Sequence, residues 1–173
     1  MQYLQHHYKT SPFLTSLFTL LAAVLLPVAI HLAPPIQEVP IGALLLPMFY
    51  VPFIALILFG KTPALAAAVL SPALNFLISG NDQWSLMILL TVELTVFTLS
   101  IGYLREKMGN FWSIMLSILL AKGIGATLLL ILGLLPQTPI DYFIQSLGRG
   151  WPGIIVLVIL GFVMQVKQEN SEK

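Results

Sequence analysis

Long apolar runs alternate with short polar breaks along nearly the whole chain, and the breaks fall at prolines, glycines and charged residues. Each run is near the 20 residues that carry an α-helix across a bilayer. The pattern predicts six helical segments, at about 12–33, 40–59, 63–79, 84–104, 111–135 and 140–165. The first is closed by Pro34-Pro35, the second is interrupted by Pro47 and Pro52, and the third opens near Pro63 and ends at Gly80. Trp84 and Tyr103 bracket the fourth as interface anchors. Pro136 stops the fifth. The sixth starts after Pro139, with its apolar part proper from Trp151. The first segment is longer than a signal-peptide core and ends in HLAPPIQ without a small-residue cleavage site, so it reads as a retained helix.

Composition fixes the class. Charged residues make up 9% of the chain and hydrophobic residues 58%, against about 25% charged in soluble domains. The expectation is an all-α integral membrane protein forming a single transmembrane domain over residues 1–173. The absence of cysteine excludes disulfides, thiolate metal sites and cysteine nucleophiles. The net charge of +1 gives no reason to expect a nucleic-acid partner.

Charge placement gives orientation. Lys9, Lys61, Arg105, Lys107, Lys167 and Lys173 fall outside alternate segment ends, whereas the loops PPIQEVP, SGNDQW and PQTPID carry only Glu38, Asp82 and Asp141. By the positive-inside rule both termini are cytoplasmic. Only Lys122 and Arg149 fall outside this scheme.

Several polar residues lie at membrane depth, where they are costly and tend to face a partner helix or a cavity. Glu93 and Lys122 lie about midway along the fourth and fifth segments; they either neutralise each other or face a ligand. Asn75 either bridges to a neighbouring helix or reads a ligand. Ser71 and Ser79 are expected to bond to their own helix carbonyls. Pro47 and Pro52, with Met48, Phe49 and Tyr50, predict a bent helix that lines a cavity or serves packing alone. SGNDQW is either a gate or a solvated turn. Arg149 and Trp151 either clamp a ligand or anchor at the interface. His31 and His6-His7 lack the converging ligands a metal requires, so no metal or other cofactor is expected. Thr19 with Ala23, and Ala29 with Ala33, have the small-x-x-x-small spacing of close helix contacts. Gly123, Gly125 and Ala126 suit internal packing. Nothing forms a nucleophile–base pair or an H-E-x-x-H site, so the chain is not expected to be an enzyme.

The order L-P-M-x-x-x-P-F (Leu46 to Phe53), Gly60-Lys61, S-P-A-L-x-F-L-x-S-G (Ser71 to Gly80), V-E-L (Val92 to Leu94) and G-W-P-G (Gly150 to Gly153) resembles the substrate-binding S component of energy-coupling-factor (ECF) vitamin transporters. The resemblance covers roughly residues 40–165. It implies a six-helix subunit in the bacterial cytoplasmic membrane that captures a vitamin or vitamin precursor near the outer face. Such a subunit docks on a coupling transmembrane protein driven by two ATPases, and topples to carry its ligand inward. The absence of a Walker A sequence fits. Together with the polar residues weighed above, it gives Phe49, Asn75, Glu93, Lys122, Arg149 and Trp151 as the expected substrate contacts, and it implies that the first helix, with Thr19, Ala23, Ala29 and Ala33, is the docking face. The chain departs from many members in having Phe49 where they carry histidine and Lys122 where they carry arginine. A different expectation is a non-transporting membrane scaffold resembling the MreD cell-shape proteins, in which Glu93, Asn75 and Lys122 only hold helices together.

Overall fold

The computed structural model describes residues 11–36, 39–80, 83–133 and 135–171, with side chains to residue 166. His6, His7, Lys9, Glu38, Asp82 and Lys173, and the side chain of Lys167, lie outside the described residues. The described chain is helical: α1 (Pro12–His31), α2 (Ile41–Leu45), a 3₁₀ turn (Pro47–Phe49), α3 (Tyr50–Leu58), α4 (Lys61–Ser79), α5 (Trp84–Leu132) and α6 (Pro139–Ser171). Among the described residues no strand forms; a single bridge joins Ile36 and Val39. Four helices, α1, α4, α5 and α6, are long and apolar enough to cross a membrane. Their outer surface is apolar, with Phe13, Leu25, Leu77, Leu130 and Ile144 exposed. Water would not stabilise so continuous an apolar exterior; lipid would.

The stretch expected as two helices, 84–104 and 111–135, forms two helical arms of α5, 84–108 and 110–132, that double back at Gly109. Helical geometry runs up to Met108 and resumes at Asn110, and Gly109 takes φ 72°, ψ 169°, a conformation open essentially to glycine alone. One residue therefore makes the turn. Glu93 and Lys122, 29 residues apart, come to 2.6 Å. On a straight helix they would lie about 43 Å apart.

Asn110 locks the turn. Its Nδ2 donates to the Gly161 carbonyl of α6 at 2.8 Å, and its Oδ1 accepts from Arg105 Nε at 2.9 Å. Replacing Asn110 with alanine removes both bonds. The expected loss is about 2 kcal/mol, at roughly 1 kcal/mol per net hydrogen bond, read as a lower thermal midpoint in detergent.

The second expected helix is not continuous. Leu46 sits in the left-handed region at φ 50°, ψ 46°, at a cost of about 1–2 kcal/mol for a residue with a Cβ. The following Pro47 cannot donate a helical hydrogen bond, and the chain tightens into the 3₁₀ turn before α3 begins. Packing holds the break. The Leu46 side chain lies over Gly150, the Leu45 carbonyl lies against Gly153, and the Tyr50 hydroxyl donates to that same carbonyl. Both glycines belong to the G-W-P-G sequence, whose Pro152 is accommodated inside α6.

α4 turns its small residues inward. Ala64, Ala67, Ala68 and Ser71 are buried, while Val69, Leu70, Leu77 and Ile78 face out. The short side chains let α1, α3 and α5 pack closely against it. The main core joins Phe49, Phe53, Leu56 and Ile57 to Leu94, Phe97, Ile101, Ile114, Ile118 and Leu157.

The helix contacts also sort the two ends of the bundle. Leu56 lies beside Gly102, and Asn110 reaches Gly161. The end of α3, the start of α4 with Lys61, the Gly109 turn with Arg105 and Lys107, and the later part of α6 thus share one end. Asp141, in the first turn of α6, belongs to the other, and Leu45, Leu46 and Gly150 pack together between the two.

Candidate functional site

Three elements bring polar groups to one buried place. The first arm of α5 supplies Glu93, the second arm supplies Lys122, and α6 supplies Tyr142. Lys122 Nζ donates to Glu93 Oε2 at 2.6 Å, and the Tyr142 hydroxyl donates to Glu93 Oε1. Glu93 is 0% exposed and Lys122 3%. Phe49 and Tyr142 each place a ring centroid 5.6 Å from the Lys122 ammonium, within reach of a cation–π attraction. Phe49 in turn packs edge-on against Phe97, with centroids 5.1 Å apart.

Gly125 makes room for the carboxylate. A Cβ at that position would stand 2.5 Å from Glu93 Oε1, closer than any ordinary contact. Gly123, two residues earlier on the same arm, has nothing within 4 Å of such a Cβ. Of the two glycines expected to serve packing, only Gly125 meets a neighbour.

Tyr142 was not singled out from the sequence, although a signal for it exists. Thr138-Pro139-Ile140-Asp141 is an N-terminal capping sequence with proline at the first helical position. The Asp141 N–H donates to Thr138 Oγ1 at 3.1 Å, and the Thr138 hydroxyl donates to Asp141 Oδ2 at 2.6 Å. This cap starts α6 twelve residues before the apolar run that begins at Trp151 and turns Tyr142 inward, beside Leu89 and Leu129. Asp141 is therefore a first-turn helix residue and not a loop charge.

The six expected ligand residues divide. Phe49, Glu93 and Lys122 converge. Asn75 bridges helices: its Nδ2 donates to Ser71 O at 3.0 Å and to Ala23 O at 3.4 Å. The Ala23 carbonyl has lost its helical donor because Pro27, four residues on, has no N–H; Asn75 supplies the replacement. Arg149 and Trp151 flank buried Gly150 and are exposed on α6.

Of the four small residues expected on the first helix, Thr19 and Ala23 are buried, Ala29 is exposed on α1, and Ala33 is exposed just beyond its end. Ser79 Oγ bonds to its own helix, donating to Phe76 O at 3.3 Å. Ser71 does not: its Oγ and that of Ser117 are buried with no hydrogen-bond partner among the described residues. His31 Nδ1 donates to the Pro27 carbonyl at 2.7 Å, and its ring lies against Gly42. This contact ties the end of α1 to α2.

Comparisons with protein-family models, with curated proteins and with solved structures find no match to this chain.

Proposed function

We propose that this chain is the membrane-embedded substrate-capture subunit of an ECF-type importer, crossing a bacterial cytoplasmic membrane six times with both termini inside. On this reading α1, α2–α3 taken together, α4, the two arms of α5, and α6 are the six passes. The end carrying Lys61, Arg105 and Lys107 is cytoplasmic. The subunit hydrolyses nothing; a coupling transmembrane subunit and two ATPases drive transport of a small vitamin or vitamin precursor.

One observation carries the proposal: a helix broken within the apolar bundle presents Phe49 to a buried ion pair. Discontinuous helices beside intramembrane charges mark solute sites in transporters, where irregular backbone and ionisable groups serve a ligand. The pair lies about 20–24 Å along the arms from the Gly109 turn, counted at 1.5 Å per residue. Under the proposed orientation the pair sits slightly to the outer side of the arms' midpoint, within reach of a substrate entering from outside.

The scaffold reading draws on the enclosed Glu93–Lys122 pair and on Asn75, whose amide is spent on a helix–helix bridge. Co-expression with the coupling subunit and both ATPases of an ECF transporter separates the two. Under the importer reading the four chains purify as one stable complex that hydrolyses ATP. A chain that purifies without those three partners and co-purifies with co-expressed cell-shape proteins overturns it.

A further inference from the structure

The charge balance of the buried cluster restricts what it can bind. Glu93 has both carboxylate oxygens engaged, one by Lys122 and one by Tyr142. A ligand carrying only a negative charge could pair with Lys122, but it would leave Glu93 ionised in a dry bundle with a single hydroxyl donor. A ligand carrying only a positive charge would pair with Glu93 and strand Lys122. Leaving one member of a buried pair uncompensated is strongly unfavourable. An uncharged ligand can donate to Glu93 or accept from Lys122, but it supplies neither counter-charge to replace the one that the closed pair loses. A molecule bearing both charges replaces each partner with its own counterpart.

We infer that the Glu93–Lys122–Tyr142 cluster is the polar half of a binding site for a small zwitterion, its ammonium on Glu93 and its carboxylate on Lys122. The inference rests on the capture-subunit reading and names the substrate class of that site. Two neighbours complete the chemistry. The Phe49 and Tyr142 rings, each 5.6 Å from the Lys122 ammonium, form an aromatic flank equally suited to a ligand ammonium. The Phe49–Phe97 pair behind them offers an apolar wall to the ligand's body. Gly125 leaves the Glu93 carboxylate free of steric blockade from the second arm.

The test uses the purified full-length chain in detergent and matched probes: common α-amino acids and short ω-amino acids, each beside its N-acetyl derivative (an anion) and its carboxamide (a cation). At least one parent amino acid is expected to raise the thermal midpoint and to give a dissociation constant by calorimetry. Both of its singly charged derivatives are expected to bind about tenfold to a hundredfold more weakly, the loss of one charge-assisted hydrogen bond.

Glu93→Gln and Lys122→Gln should each weaken parent binding by a similar factor. The double variant, whose two amides can bond to each other, keeps the fold and should abolish binding. A derivative that binds as tightly as its parent overturns the inference, as does a panel in which no zwitterion binds, or undiminished binding to the double variant. Assembly with the coupling subunit without zwitterion binding sinks the ligand assignment alone. Zwitterion binding without that assembly sinks the importer and leaves the site.

Discussion

Replacing Lys122 with methionine is expected to destabilise the protein by about 3–5 kcal/mol, the range for a buried charge that loses its partner. Glu93 would be left 0% exposed with the Tyr142 hydroxyl as its remaining donor. Glu93→Gln alone should also destabilise, because Lys122 then lacks a counter-charge. Together, Glu93→Gln and Lys122→Met should recover most of the loss, since no net charge stays buried. A double-mutant cycle from thermal or denaturant unfolding in detergent isolates the coupling. Additive losses would mean that the two side chains do not meet. The expected cycle is strongly non-additive, with the double variant more stable than either single one.

The second large effect belongs to Gly153. A Cβ there would overlap the carbonyl oxygen of Leu45, a backbone atom that cannot swing aside. Gly153→Ala must therefore push α6 away from α2 or change the left-handed turn at Leu46. The expected cost is about 3 kcal/mol, the upper range for forced overpacking. Gly123→Ala is the matched control. It lies in open space on a helix, so removing a helical glycine should stabilise by about 0.5–1 kcal/mol. Opposite shifts of the unfolding midpoint for two Gly→Ala changes would tie the effect to the α2–α6 contact. A loss at Gly123 as large as that at Gly153 would argue against it.

The legible part of this fold lay in hydrophobicity and in its interruptions. Apolar runs show which segments suit lipid. A glutamate and a lysine each isolated within such a run stand out, because burial without a partner is costly for both. Their pairing did not follow, because it depends on how far each residue lies from the turn between them. The turn falls inside the expected gap between the two segments but is far tighter than a loop. Arg105 to Asn110 has a loop-like composition, yet the chain stays helical through Met108 and reverses on Gly109 alone.

Tyr142 was obscured in the same way. The polar residues before it suggest a loop, while their hydrogen bonds make them a helix cap. Leu46 was hidden for another reason: nothing in a leucine signals a left-handed backbone, and the glycines that hold it there are about a hundred residues away in sequence. Asn75 plainly needed an acceptor. Which carbonyl would meet it depended on the register of α4 against α1, which one chain's pattern does not encode.

Pro27 and Asn75 act as two halves of one repair, and this has a consequence for how the sequence can drift. While Pro27 is present, the Ala23 carbonyl depends on an amide from another helix, so a leucine at position 75 is damaging. Once alanine stands at position 27, α1 bonds to itself and the same leucine becomes acceptable. The order of substitution then matters. A lineage that loses the proline first passes freely, whereas one that loses the asparagine first must cross a less stable intermediate.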